Sequence, residues 1–70
     1  MEQKNKFSEN LKLLRQEEKL NQNQLAKLVG VTQQCISEWE NGKIEPTLSY
    51  LWKLADIFKT SIDELIGRID

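Results

Sequence analysis

Between Gln22 and Gly42 the chain reads Gln-Asn-Gln-Leu-Ala-Lys-Leu-Val-Gly-Val-Thr-Gln-Gln-Cys-Ile-Ser-Glu-Trp-Glu-Asn-Gly, and this stretch constrains the fold more than any other. Read at helical period, its apolar positions are Leu25, Val29, Val31, Ile36 and Trp39. Ala26 is small enough to let a second helix approach closely, and Gly30 supplies the backbone freedom that ends a first one. Two helices crossing steeply on a turn of a few residues need these features together, with the apolar side chains filling the angle between them. The spacing predicts such a pair and leaves one face of its second helix outward.

The flanking sequence extends the pair into an all-α, compact five-helix bundle. Gly30, Gly42, Pro46 and Gly67 are its only glycine and proline residues, and no β-branched alternation, repeat or linker interrupts it. The first helix is expected from Asn5 or Lys6 to Glu18, with Phe7, Leu11 and Leu14 as its apolar stripe, Arg15 at the border and Leu13 pointing away. Asn21 N-caps the second helix, with Gln24 as its capping-box partner. Thr32 caps the third, and Asn41-Gly42 ends it through a left-handed residue. Thr47, after Pro46, caps a fourth helix that turns Leu48, Leu51, Leu54, Ala55 and Phe58 to the core. Ser61-Ile62-Asp63-Glu64 is a full capping box for a short fifth helix, with Ile62, Leu65 and Ile66 inward and Gly67 at its end.

Seventy residues make one domain, 1–70, near the lower size limit for folding without a staple. A single cysteine excludes an intrachain disulfide, and the lack of histidine argues against structural zinc; no metal or cofactor is expected. No apolar run approaches a membrane span of about 20 residues, and Met1-Glu2-Gln3-Lys4 begins no secretory signal, so the expected location is cytoplasmic. Ten basic and eleven acidic residues give a net charge of −1, against the basic excess common among nucleic-acid binders. The charges are polarised, however. Lys4, Lys6, Lys12, Arg15, Lys19 and Lys27 load the first half, and Asp56, Asp63, Glu64 and Asp70 load the tail.

On the third helix Ile36 and Trp39 mark the buried side, which puts Gln34, Ser37, Glu38 and Asn41 opposite, with Gln33 at the N-terminal end. A glutamine can pair bidentately with adenine N6 and N7, and a glutamate can accept from cytosine N4. Two glutamines in the first turn stand where a recognition helix of a helix-turn-helix enters the major groove. On an arbitrary helix they would be ordinary polar surface; on this one they are candidates for base contact, with Glu38 and Ser37 beside them. Candidates for phosphate contact are Gln22 and Thr32, which open the two helices, and Asn41 and Lys43, which follow the second. Thr32 is a cap in any case, and Lys43 is equally a solvated loop charge.

From Leu11 to Leu65 the chain resembles the lambda-repressor/Cro-type helix-turn-helix family, also called XRE. The matching residues are Leu11, Leu14-Arg15, Leu20-Asn21-Gln22, Leu25-Ala26, Val29-Gly30-Val31-Thr32, Ile36, Glu40-Asn41-Gly42-Lys43, Pro46, Leu51, Leu54-Ala55 and Asp63-Glu64-Leu65. The resemblance implies a DNA-binding domain of a bacterial or phage transcription regulator, usually a repressor and a homodimer on a palindromic operator. It puts base reading on Gln33, Gln34 and Glu38, and phosphate contact on Gln22 and Asn41. Thr32-Gln33-Gln34 matches what some lambdoid phage repressors carry there. It also pairs Arg15 with Glu40, two charges that border the buried faces of the first and third helices. The net acidity departs from the family, as does Trp39, which stands where smaller residues are common. Cys35 takes a position often held by serine and reads as a small packing residue.

An enzyme is the weakest alternative, since no nucleophile stands with a base. The stronger alternative is an antitoxin-like or controller protein that binds a protein partner through Tyr50, Trp52, Leu13 and the acidic tail while regulating its own promoter. For a homodimer, the expected contacts are Ile57, Ile66 and Ile69, which would otherwise complete the core of one chain. Substitution of Gln22 by alanine is expected to weaken all DNA sequences alike.

Overall fold

Side chains that cap helix ends divide the chain into its elements. The structure, a computed structural model, describes residues 6–68, so Lys4, Asn5 as a start of the first helix, Ile69 and Asp70 lie outside the described residues. The helices are α1 (Phe7–Glu17), α2 (Gln22–Val29), α3 (Gln33–Glu40), α4 (Leu48–Phe58) and α5 (Ile62–Ile66), and the described residues include no strand. Asn21 and Gln24 form a reciprocal capping box, Asn21 Oδ1 accepting from Gln24 N at 2.7 Å and Gln24 Oε1 from Asn21 N at 2.8 Å. The hydroxyls of Thr32, Thr47 and Ser61 cap α3, α4 and α5 by accepting from Cys35 N, Tyr50 N and Glu64 N. Such caps replace partners that the first turn of a helix otherwise lacks.

Gly30 ends α2 at φ +90°, a left-handed conformation in which any other residue would be strained, and the chain turns there directly toward α3. Gly67 ends α5 at φ +81° and also leaves room: a Cβ there would lie 2.9 Å from Lys6 Cβ. That close approach lets the start of α1 satisfy the end of α5. Lys6 N donates to Ile66 O at 2.8 Å, and Asn10 Nδ2 donates to the carbonyls of Glu64 and Leu65 at 3.2 Å each.

Phe7, Leu11, Leu25, Ala26, Val29, Ile36, Trp39, Leu54 and Leu65 form one buried core to which all five helices contribute. Leu14, Leu51, Phe58 and Ile66 pack around it. Leu48 does not: it is 66 % exposed, contrary to the expectation that it faces inward. A helical side chain covers surface on the N-terminal side of its own Cα. As the first residue of α4, Leu48 therefore projects beyond the end of the helix rather than onto the core. Ile62, the corresponding residue of α5, is only half-buried. Among the described residues no helix is long and apolar enough to cross a membrane.

The cap of α5 carries a pH signature. Glu64 Oε1 accepts from Thr60 Oγ1 at 2.8 Å, from Ser61 N at 3.2 Å and from Ser61 Oγ at 3.3 Å. These donors, Thr60 foremost, hold the Glu64 carboxyl below its ordinary range. A carboxylate depressed on folding stabilises the fold fully above its unfolded pKa, and this contribution is lost as pH falls through the lower folded value. Thr60→Ala is expected to raise the Glu64 titration midpoint toward the ordinary range, as read from its side-chain carbonyl NMR shift. An unmoved midpoint would show that the Thr60 bond does not hold the carboxylate.

Candidate nucleic-acid interface

The orientation of α3 follows from its apolar face. Ile36 and Trp39 are 0 % and 2 % exposed. The Trp39 ring meets Phe7 edge-on, centroids 6.4 Å apart and planes at 71°, and lies 5.5 Å from Tyr50 on its other contact. With that face fixed, Gln33, Gln34 and Asn41 are exposed, and Ser37 and Glu38 are half-buried beside them. Asn41 Nδ2 donates to Ser37 Oγ at 3.4 Å, a long bond that spans one turn of this face. Thr32 and Lys43, at the two ends, are exposed; the Thr32 hydroxyl caps the helix, and Lys43 N donates to Glu38 O at 3.0 Å. All of the candidate base-contacting residues thus lie on or beside the side of α3 that the core leaves uncovered.

Side chains tie the openings of α2 and α3 together. Gln33 Nε2 donates to Gln22 Oε1 at 3.1 Å, and each glutamine is the first residue of its helix, so the two helix N-termini stand side by side. Each N-terminus presents unpaired backbone N–H groups and the positive end of the helix dipole. Neither helix carries an acidic residue in its first turn, whereas α1 carries Glu9 and α5 carries Asp63 and Glu64. The potential at this edge is therefore not cancelled locally. A chain of net charge −1 can still offer an anion-binding edge in this way.

Behind the edge runs a hydrogen-bonded chain to α1. Gln22 Nε2 donates to Glu40 Oε1 at 3.0 Å. Arg15 grips the same carboxylate in fork geometry, Nε to Oε2 at 2.6 Å and Nη2 to Oε1 at 3.1 Å, while its Nη1 donates to Leu20 O at 2.8 Å. The two charged side chains are 11 % and 3 % exposed. The hydrogen bond to Glu40 holds the Arg15 guanidinium above its ordinary pKa, against the opposing effect of burial. Glu40 therefore faces inward and takes no place on the outer surface.

Cys35 is half-buried and packs against the core, and burial, then the charge of Glu38, pushes its thiol pKa up. A thiol so shifted is a poor nucleophile. Of the residues assigned to a partner surface, Tyr50 packs on Trp39 instead, whereas Trp52 and Leu13 are exposed, at 63 % and 56 %. Ile57 and Ile66, the dimer candidates within the described residues, are half-buried against the core. The Gln33–Gln22–Glu40 bonds are the feature that sequence reasoning missed. They connect side chains far apart along the chain, and only the packing of α2 against α3 brings them together.

The helix-turn-helix family model matches residues 11–65. The chain is 39 % identical over 61 residues to the transcriptional activator BcrR of Enterococcus faecalis, a match covering 87 % of this chain and 30 % of that protein. It superposes on the phage P22 c2 repressor, solved in complex with a synthetic operator, with a TM-score of 0.84 and 31 % identity, covering 97 % of this chain and 100 % of that one. The same fold occurs in the hydroxypropylphosphonic acid epoxidase of S. wedmorenis, with a TM-score of 0.79 and 39 % identity, covering 86 % of this chain but 32 % of that enzyme. The chain spans between 30 % and 56 % of the length of three curated regulators that it matches.

Proposed function

Because the chain belongs to the helix-turn-helix family, we propose that it binds double-stranded DNA sequence-specifically and regulates transcription, as a repressor, with α3 in the major groove. The observation that carries this reading is the paired N-terminal edge of α2 and α3, with Gln33 and Gln34 exposed at its mouth. Helix N-termini hold phosphates, and glutamine side chains in the first turn of a recognition helix reach base edges. Gln34 and Gln33 read bases, with Ser37 and Glu38 as the next contacts along the groove. Gln22, Thr32, Asn41 and Lys43 flank them toward the phosphates; Gln22 keeps one amide N–H beyond the one given to Glu40.

One such helix reads too few bases to select an operator, so the binding unit is a homodimer on a palindrome with half-sites about one DNA turn, ~34 Å, apart. Ile57 and Ile66, on the later helices, are the candidates for its apolar contacts. The cytoplasm, where the DNA of a bacterial or phage regulator lies, is its place of action. The regulators among its relatives favour this reading over a role centred on a protein partner. The epoxidase shares only a part of its chain with this fold, and its chemistry is not carried over.

Selection from a random-duplex pool is expected to enrich an inverted repeat with that spacing. Gln33→Ala and Gln34→Ala are each expected to cost about 1–3 kcal/mol on the best site and to relax preference at separate base pairs. A pool that yields no motif even at low salt would overturn the proposal.

A further inference from the structure

The hydrogen-bonded chain behind α3 has a direction, and that direction bears on which base Gln33 can read. We propose that Glu40 is a positioning residue for recognition: through Gln22 it fixes the amide polarity of Gln33, so that α3 accepts adenine and rejects guanine at the base pair Gln33 faces. The inference rests on the DNA-binding reading above.

An ionised carboxylate only accepts hydrogen bonds. Arg15 donates to both oxygens of Glu40, so Glu40 meets its neighbours as an acceptor. Gln22 must therefore turn its Nε2 to Glu40 Oε1, which sends its own Oε1 the other way, toward α3. Gln33 can meet that oxygen only with its Nε2. Each amide is thus oriented by the one before it, and the carboxylate orients the first. Gln33 is left with one N–H and its carbonyl oxygen to offer outward.

In the major groove adenine presents an acceptor, N7, beside a donor, N6, whereas guanine presents two acceptors, N7 and O6. One N–H beside one carbonyl matches adenine. Set against guanine, the same amide brings Oε1 onto O6, acceptor against acceptor. A reversed Gln33, with its oxygen toward Gln22, would offer two N–H groups and suit guanine. That reversal requires Gln22 to reverse as well and to place its oxygen against the Glu40 carboxylate, leaving two part-buried acceptors facing each other without a donor. Such unsatisfied pairs are costly. Glu40, with its side chain 3 % exposed and out of reach of any DNA, thereby acts on base choice.

The test compares the wild type, Gln22→Leu and Glu40→Leu on the selected operator. The base pair that Gln33 faces is identified as the one whose preference Gln33→Ala removes. Affinity is measured with adenine and with guanine at that position, and with a matched exchange at the pair Gln34 reads. For the wild type the adenine preference is expected to be about tenfold or more, within the range for a bidentate pair. Gln22→Leu leaves the ion pair intact and breaks the chain; Glu40→Leu removes the acceptor that orients it. Both variants are expected to drop the ratio below about threefold while the ratio at the Gln34 pair holds.

A ratio of affinities does not depend on the fraction of protein that is folded. If Glu40 serves only stability, or Gln22 only phosphate contact, both duplexes weaken alike and the ratio stands, which overturns the proposal. Should Glu40→Leu not fold, the double variant with Arg15→Met removes the same acceptor without leaving an unpaired charge and takes its place. DNA binding with an unchanged ratio removes this inference and leaves the function; absence of any enriched motif for the wild type removes both.

Discussion

Glu40→Leu is expected to destabilise the fold by about 3–5 kcal/mol, the usual cost of stripping one partner from a buried ion pair. The substitution leaves the Arg15 guanidinium, 11 % exposed, with Leu20 O as its remaining partner, and removes the acceptor of Gln22 Nε2. Arg15→Met is expected to cost a similar amount, since it leaves a carboxylate that is 3 % exposed with Gln22 alone. An exposed pair would lose only about 0–1 kcal/mol on either change. The double substitution separates geometry from chemistry. Apolar side chains of similar volume often replace a buried pair at little net cost, so Arg15→Met with Glu40→Leu is expected to be more stable than either single variant. Recovery stays incomplete, because Leu20 O loses its donor. Denaturant melts of the four proteins give the coupling directly. Near-neutral single variants with no coupling would mean that the fork seen here contributes nothing to stability.

The sequence carried the helices more fully than the side-chain contacts between them, for a physical reason. Helix starts are local events: Asn21, Thr32, Thr47 and Ser61 each bond to a backbone N–H three residues on, and such spacing is visible in one dimension. Helix ends are visible only where glycine marks them. Gly30 and Gly67 do so, but Lys19 and Lys59 adopt the same left-handed backbone at φ +59° and +55°, with no residue type to announce it. The exposed position of Leu48 escaped for a different reason: periodicity assigns a face but not whether anything lies above the first turn of that face. Gln33 and Gln34 were legible as an outward pair from the position of Ile36 and Trp39. The bond from Gln33 to Gln22 was not, since it depends on how closely α2 and α3 cross.

Charge shows the same limit. A composition of net −1 counts against phosphate binding only if charge is spread evenly. Here acidic residues fill the first turns of α1 and α5 and are missing from those of α2 and α3, and Glu40, near the edge, is neutralised by Arg15. The sum over the chain hides a local arrangement that suits an anion.

Trp39→Ala is expected to cost about 3–5 kcal/mol, the range for emptying a buried aromatic site. Trp39 is 2 % exposed and stands between Phe7 of α1 and Tyr50 of α4, so its indole is what fixes α3 against two other helices. Those two rings also explain how this bundle houses a side chain larger than the position commonly holds. The loss is large against the total stability of a domain, about 5–15 kcal/mol, and a chain of 70 residues lies toward the lower end. Trp39→Phe, which keeps an aromatic ring in the site, is expected to lose less than half as much. Because the outward glutamines are aimed by this contact, DNA binding by the alanine variant falls with its folded fraction. Operator at a hundredfold excess over its Kd is expected to restore about 2.7 kcal/mol of that stability. Thermal melts with and without operator check both numbers. If Trp39→Ala melts within about 1 kcal/mol of the wild type, the indole is not the anchor of α3, and the orientation of the recognition face must come from Ile36 and the Arg15–Glu40 pair instead.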